Sequence, residues 1–194
     1  MGRLSIIAGE ARGRALKSLP LDDLSVRPIL ARIKKSLFDI LSPRIGGSRF
    51  LDLYAGTGAV GHEALSRGAA SVVFVESDKR SQELITANAV MLGWMDRCRI
   101  VKVDIVQGLG SVMGGPFDII FMGPPYKDAH KKPLSLTGIT LRNVCESRLL
   151  SPNGWILSQR HEKEPVVIPE GLEQFRIEKY GDTVVAFYRI PSPH

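Results

Sequence analysis

The sequence predicts an α/β protein: a doubly wound, mostly parallel sheet with an antiparallel strand at its C-terminal edge, preceded by a basic hairpin and helix. Three observations predict it. From Arg49 onward, short apolar runs alternate with stretches of helical spacing, which is how a parallel sheet covered on both faces reads in sequence. A glycine cluster at Gly56, Gly58 and Gly61 stands between the first apolar run and the first helical stretch, where a strand-to-helix unit makes its tight turn. The last two apolar runs are separated only by Tyr180-Gly181-Asp182, too short for a crossover helix, so they pair as a hairpin.

Taken in order, the apolar stretches at residues 4–8 and 15–19 flank Gly9-Glu10-Ala11-Arg12-Gly13-Arg14, whose glycines permit a turn with Arg12 and Arg14 at its tip. Pro28 opens a helix with Ile29, Ile33, Leu37, Ile40 and Leu41 on one face and Arg32, Lys34 and Lys35 on the others. Residues 43–48, rich in Pro, Gly and Ser, read as the junction between an extension (1–48) and the main domain (49–194). Strands are then expected at 50–54, 71–75, 99–103, 117–122 and 155–158, the last after a turn at Pro152-Asn153-Gly154. Helices are expected at 59–67, 78–92 and 136–150, the second with Asp78 as its N-cap. Residues 173–179 and 183–190 form the closing hairpin.

Composition bounds the function. At 194 residues, 44% hydrophobic and 24% charged, the chain has the make-up of one globular domain with an appendage. No apolar run approaches the roughly 20 residues that span a bilayer, so no membrane partner is expected. The opening MGRLSIIAGEARGR lacks the apolar core of a secretory signal. Cys98 and Cys145 have neither CxxC spacing nor His neighbours; this speaks against a metal site or a disulfide framework and for a reducing cytoplasm. A monomer is expected. Residues 1–49 carry ten basic and four acidic side chains, and the remaining 145 are charge-balanced, so the entire net charge of +6 sits in the first quarter of the chain. Such a segment suits a polyanionic partner, although solvated surface charge is the commoner meaning.

In sheets of this kind, ligands bind at the carboxyl ends of the strands near the switch in strand order. The loop from Asp52 to Gly61 fits G-x-G-x-x-G after a strand and before a helix, where the backbone can approach a ligand closely. Glu76 closes the next strand 15 residues beyond Gly61 and can accept from a ribose diol; its bland reading is an acid favoured by a helix dipole. Asp104, after the third strand, can accept from an adenine amino group or simply cap a helix. Asp52, Glu76 and Asp104 would make an acidic rim that repels a diphosphate but suits S-adenosylmethionine, which joins a cationic amino acid to a nucleoside. After the fourth strand comes Gly123-Pro124-Pro125-Tyr126: two prolines stiffen the loop, and Tyr126 offers a face to a planar base.

These blocks carry a resemblance. The chain resembles class I S-adenosylmethionine-dependent methyltransferases with a Rossmann-like sheet. More closely it resembles the RsmD-type bacterial family, which methylates N2 of a guanine in 16S ribosomal RNA. The similarity rests on the opening from Ile6 to Arg14, on Arg27-Pro28 with Lys34, Lys35, Leu37 and Phe38, on the loop from Phe50 to Gly58, on the run from His62 to Ala69, and on Val73-Phe74-Val75-Glu76 with Asn88. It implies that S-adenosylmethionine lies over Asp52, Tyr54, Ala55, Gly56, Thr57 and Gly58, with Glu76 and Ser77 at the second strand end and Asp104 and Ile105 at the third. It implies that a guanine enters against Gly123, Pro124, Pro125 and Tyr126, and that Arg12, Arg14, Lys17, Arg32, Lys34 and Lys35 grip RNA phosphates. The implied substrate is 16S rRNA assembled with ribosomal proteins.

One residue departs from the pattern. The family's fourth-strand motif is Asp-Pro-Pro-Tyr, and Gly123 stands where the Asp belongs. That carboxylate accepts from the guanine amino group; without it only the backbone carbonyls at 123 and 124 remain, unless Asp128 folds back. Loss of such a contact costs about 2–4 kcal/mol of transition-state stabilisation, a slowing of roughly 30- to 1,000-fold. The rival readings are a weakened or inactive homologue that binds S-adenosylmethionine and RNA, and a methyltransferase for another nucleic-acid base or a protein amide.

Overall fold

The runs RFLDL, SVVFV and FDIIFM become the centre of the sheet. In a computed structural model describing residues 4–19, 29–128 and 130–192, they form β1 (Arg49–Leu53), β2 (Ser71–Val75) and β4 (Phe117–Met122). β1 pairs in parallel with both neighbours, Leu51 lying beside Val73 on one side and Ile120 on the other. β3 (Cys98–Val101) adds to β2, and β5 (Leu150–His161) to β4, again in parallel. β7 (Thr183–Arg189) joins β5 antiparallel, and β6 (Glu173–Tyr180) pairs with β7 as the outermost strand. Among the described residues the sheet order is β3-β2-β1-β4-β5-β7-β6. The chain thus runs outward from β1 to β3 and returns to β4 on the other side of β1. The carboxyl ends of β1 and β4 flank the switch point.

Alternation along each strand divides the core in two. Phe50, Phe74, Ile119, Phe121 and Leu157 face α1 (Ala31–Ile45), α2 (Ala59–Ser66) and α3 (Lys79–Leu92), meeting Ile33, Leu37, Val60, Leu65 and Ile85. Leu51, Val73, Ile120 and Ile156 face the other way, toward Leu141 and Val144 of α4 (Thr137–Glu146) and Ile105, Leu109 and Val112 of the loop after β3. This period-two partition lets strands buried on both faces read as continuous apolar runs. The apolar face of α1 packs into the same core as β1 and β4, so the change in charge at residue 48 is not a gap in packing.

Several boundaries differ from expectation, most of all at β5, at the helix before it and at α1. β5 begins at Leu150 and absorbs Pro152-Asn153-Gly154 as a bulge: Phe117 pairs with Leu150 but Ile119 already pairs with Trp155. The preceding helix ends at Glu146, because Arg148 turns to φ 51° and the Leu149 carbonyl accepts from Phe117 N at 2.7 Å. α1 continues through Pro43 to the buried Ile45, which shortens the junction to Gly46-Gly47-Ser48; the expected start of this helix at Pro28, with Arg27, lies outside the described residues. The Asp78 cap is present, its Oδ1 accepting from Ser81 N at 2.8 Å.

The N-terminal turn is an antiparallel hairpin bridged at Ser5 and Ala15, with Ile6 and Leu16 buried beneath it. Its anchor is Glu63 of α2. Glu63 Oε2 accepts from Ile7 N (2.8 Å) and from Lys34 Nζ (3.1 Å), and Oε1 accepts from Ala8 N (3.0 Å) and Arg67 Nε (2.8 Å). Lys34 in turn donates to the Ser5 carbonyl at 2.8 Å, and Ser66 Oγ to the Ala8 carbonyl at 2.6 Å. Burial lowers the Lys34 pKa, while the Glu63 charge opposes that shift. A buried pair broken from one side leaves the other charge uncompensated, at a cost of about 3–5 kcal/mol. Glu63→Ala is therefore expected to lose stability of that order in urea unfolding and to expose the hairpin to proteolysis; a loss no greater than that of an ordinary surface substitution would remove Glu63 from this role.

Candidate functional site

At the end of β1 the backbone reverses sharply. Tyr54 lies at φ 59° and Ala55 N returns to the Val75 carbonyl at 3.1 Å, so the loop crosses toward β2 before α2 starts. Gly58 is the residue before α2, at φ 75°; a side chain there would strain the backbone and meet the His62 ring at 2.7 Å. A Cβ on Gly61 would lie 2.2 Å from the Phe74 ring, so glycine at this position lets α2 lie close against β2. His62 is held beneath the loop by Nδ1 against the Gly58 carbonyl (2.7 Å), with Phe74 and Trp94 beside its ring. Burial lowers its pKa to about 4, so the ring is neutral near pH 7 and packs as a planar wedge.

Two of the three rim acids hold this loop from within. Glu76 Oε2 accepts from Gly56 N at 2.7 Å and Oε1 from Asp78 N at 2.9 Å; the capping role at the helix belongs to Asp78, not Glu76. Asp52 is buried under the loop and accepts from Gly61 N at 2.9 Å. Burial raises its pKa well above the ordinary carboxylate range; the Gly61 bond opposes this and the Glu76 charge adds to it. Of the three acids, Asp104 is exposed, Glu76 is half-buried and Asp52 is a brace beneath the loop. Asp104 is exposed and closes a turn by accepting from Val106 N at 3.1 Å; a turn, not a helix, follows it. Ile105 is buried, and its carbonyl accepts from Asn143 Nδ2 at 2.7 Å, which fixes the third strand's loop to α4. Ser77 is exposed beside Glu76. Tyr54 reaches Thr140 Oγ1 at 2.9 Å, and burial pushes its pKa up to about 12.

Across the switch point, Gly123 N donates to the Leu53 carbonyl at 3.4 Å, so the loop after β4 is tied to the end of β1. Pro124 is buried, Pro125 exposed and Tyr126 half-buried, its ring edge toward His161 at 6.2 Å between centroids. A Cβ on Gly123 would meet only the Phe121 ring, at 3.4 and 3.6 Å, which is ordinary contact: nothing in the packing demands glycine here. The two loops bound one cleft, lined by Asp52, Tyr54, Gly56, Thr57, Gly123 and Gln159 among others. Gln159 is not legible as a site residue in the sequence: it follows the expected end of its strand and belongs to no motif. Asp128 is engaged in its own loop, its Oδ1 accepting from His130 N and Lys132 N, each at 2.9 Å.

The basic residues separate into two groups. Arg12, Arg14, Lys17, Arg32 and Lys35 are exposed, Lys35 paired with Asp39 at 2.7 Å. Lys34 departs from the expectation of a phosphate contact: at 2% exposure and bound to Glu63 it has no face to offer a phosphate. Arg12 and Arg14 line a groove of about 510 Å³ with Glu10, Trp94 and Arg97, between the hairpin and the end of α3. Arg97, held at 2.5 Å by Glu10, does not stand out in the sequence because its basic neighbours in this groove lie more than eighty residues earlier. Among the described residues no cluster of His, Cys, Asp or Glu could hold a metal ion, and no helix is long and apolar enough to cross a membrane.

A strand-end site on this scaffold has relatives. The family described as Conserved hypothetical protein 95 matches residues 4–189, nearly the whole chain. The chain belongs to this family. The protein YlbH of Bacillus subtilis is 34% identical over 191 residues, covering 96% of this chain and 98% of that protein. A Haemophilus influenzae protein named Ribosomal RNA small subunit methyltransferase D is 32% identical, covering 97% of this chain and 93% of that one. Among solved structures, the Escherichia coli yhhF protein superposes with a TM-score of 0.81 at 26% identity, covering 99% of this chain and all of that one. The sheet order, with an antiparallel strand near the C-terminal edge, is that of class I methyltransferases.

The buried carboxyl of Asp52 supplies a test of the loop's electrostatics. Because burial favours its protonated form, the stability it lends is present at low pH and is lost as pH rises from the ordinary value near 3.8 toward the raised folded value. Asp52→Asn keeps an acceptor for Gly61 N and has no charge to bury. In urea unfolding its stability relative to the native chain should therefore rise as pH increases above the ordinary carboxylate value near 3.8; a difference independent of pH would mean that Asp52 titrates as in the unfolded chain.

Proposed function

We propose that this protein transfers a methyl group from S-adenosylmethionine to N2 of a guanine in 16S ribosomal RNA, acting on the assembled small subunit. The observation that carries the reading is that Gly123, which opens the Pro124-Pro125-Tyr126 loop after β4, lines one switch-point cleft with Tyr54, Gly56 and Thr57 of the Glu76-braced loop after β1. The family and its relatives named for small-subunit rRNA methylation support the same reading.

The residues suit the donor. Each Glu76 oxygen accepts one backbone N–H and keeps further lone-pair capacity for the hydroxyls of a ribose. Asp104 and Ile105 stand where an adenine would leave the third strand, and the Asp52-supported loop from Tyr54 to Gly58 offers backbone rather than side chain to the amino-acid portion. S-adenosylmethionine supplies an electrophilic methyl group on a sulfonium. The chain's own work is alignment: Pro124 and Pro125 hold the loop rigid, Tyr126 presents a stacking face to an extruded base, and the cleft keeps its N2 in line. The extension 1–48 carries the RNA contact, and 49–194 the cofactor and the chemistry.

Two measurements test this. Incubated with small subunits lacking the modification, the protein should produce N2-methylguanosine in 16S rRNA, read by nucleoside mass spectrometry; methylation confined to another base or to DNA would overturn the assignment. Reversing Arg12 and Arg14 together to Glu should weaken subunit binding and reduce the slope of log affinity against log salt by about 2. An unchanged slope would take the hairpin out of the RNA contact.

A further inference from the structure

The cleft contains an acceptor that belongs to none of the motifs read in the sequence. β4 and β5 pair in parallel through Phe121 with Leu157 and Met122 with Ser158. Gly123 follows the last residue of β4, and Gln159 follows Ser158 within β5. Both residues line the cleft with Asp52 and Tyr54. Gln159 Nε2 donates to the Tyr126 hydroxyl at 3.2 Å, which ties its amide to the Pro-Pro-Tyr loop. The other end of the amide, Oε1, is fully buried and has no hydrogen-bond partner among the described residues. A buried acceptor left unpaired costs about 1–3 kcal/mol, and folded proteins seldom keep one without a use.

We propose that Gln159 Oε1 is the acceptor for the exocyclic amino group of the target base, in place of the carboxylate that Gly123 lacks. This rests on the reading of the cleft as a guanine-N2 methylation site. Gly123 adds no side chain to the cleft that both residues line; on this proposal the entering base uncovers the buried amide oxygen, which stays oriented through Tyr126 and accepts from an N–H of N2. One N–H bound in this way orients the nitrogen lone pair toward the methyl carbon. N2 forms its bond to that carbon as the carbon–sulfur bond breaks, and the sulfur keeps the bonding electron pair. The surplus proton then leaves N2 for water. A carboxamide oxygen is too weak a base to take it, so Gln159 aligns the amine without acting as a general base. The same geometry selects an amino group over a carbonyl at that position, because a carbonyl oxygen would face Oε1 with no proton between them.

The test is a cycle of four proteins: native, Gln159→Met, Gly123→Asp and the double variant. Methionine keeps the volume of glutamine and removes the acceptor. Each is assayed by single-turnover methyl transfer to unmodified small subunits, by calorimetry with S-adenosylmethionine and by thermal unfolding. Gln159→Met is expected to slow transfer about 100-fold, with cofactor affinity and thermal midpoint unchanged. Gly123→Asp should restore the lost rate, so that Gln159→Met costs far less in the Gly123→Asp background than in the native one. An unchanged rate in Gln159→Met, or the same loss in both backgrounds, overturns the role of Gln159. If Gln159→Met fails to fold, Gln159→Glu stands in for it: retention of acceptor oxygens should preserve transfer, and a rate lost despite normal folding overturns the role equally. A native protein that leaves N2 unmethylated refutes the reading of the site itself, an outcome separable from both.

Discussion

The architecture of this protein depends on one buried carboxylate. Glu63 sits in the middle of α2, with no exposed surface, and receives two backbone N–H groups from the hairpin, an ammonium from α1 and a guanidinium from the residue that ends its own helix. A charge in that position is tolerable only because donors surround it. The arrangement also has a geometric consequence. α2 begins just after Gly58, at the end of the glycine loop, and ends at Ser66, against the hairpin. A helix of eight residues thus joins the two ends of the molecule's work, the strand-end cleft and the basic surface, and the orientation of one constrains the other.

The same carboxylate explains where the charge of the extension goes. The net of +6 resides in residues 1–49, but not all of it faces solvent. Lys34 is turned inward to neutralise Glu63, and Lys35 is paired along its own helix with Asp39. Arg12 and Arg14 project from the hairpin, and Arg97 from the main domain joins them across a shared groove. The basic surface is therefore composite. Its shape is set by the docking of the hairpin on α2, not by a free basic tail, so a surface of fixed outline, suited to a structured polyanion, is presented.

Much of this was legible in the sequence wherever the information was local. Strands β2 and β4 begin and end where their apolar runs do, the Asp78 cap is where its position before a helical stretch implies, and the closing hairpin follows from a three-residue connection. The glycines of the loop declared themselves by spacing, and Gly61 has the role of permitting close helix–strand approach. What local pattern could not give was any property set by a partner far along the chain. Lys34 reads as exposed because lysines on the polar side of an amphipathic helix usually are; its partner lies 29 residues later, in a helix whose packing is invisible to periodicity. Asp52 reads as a rim acid, yet its strand buries it. The bulge in β5 hides a strand start behind Pro152-Asn153-Gly154, a turn signal by composition. Gln159 lies just past the residues that the strand pattern marks, and only the folded sheet brings it to the cleft that Gly123 also lines.

The exchange of a carboxylate for glycine at 123 is then an electrostatic matter as much as a catalytic one. Asp52 already lies buried against the cleft with its pKa raised, and Glu76 adds to that shift. A carboxylate at 123, beside that same space, would set a second negative charge near Asp52. A neutral amide at 159 avoids that conflict. In the role proposed for it, the amide would accept from N–H at any pH and add no charge beside Asp52, its orientation kept by the Tyr126 hydroxyl. The cost is a weaker acceptor than an ionised carboxylate, since hydrogen bonds to charged groups are roughly twice as strong as neutral ones. A site that worked in the proposed way would lose part of its pull on the amine and gain independence from the titration of its neighbours, a coherent arrangement for a reaction limited mainly by alignment.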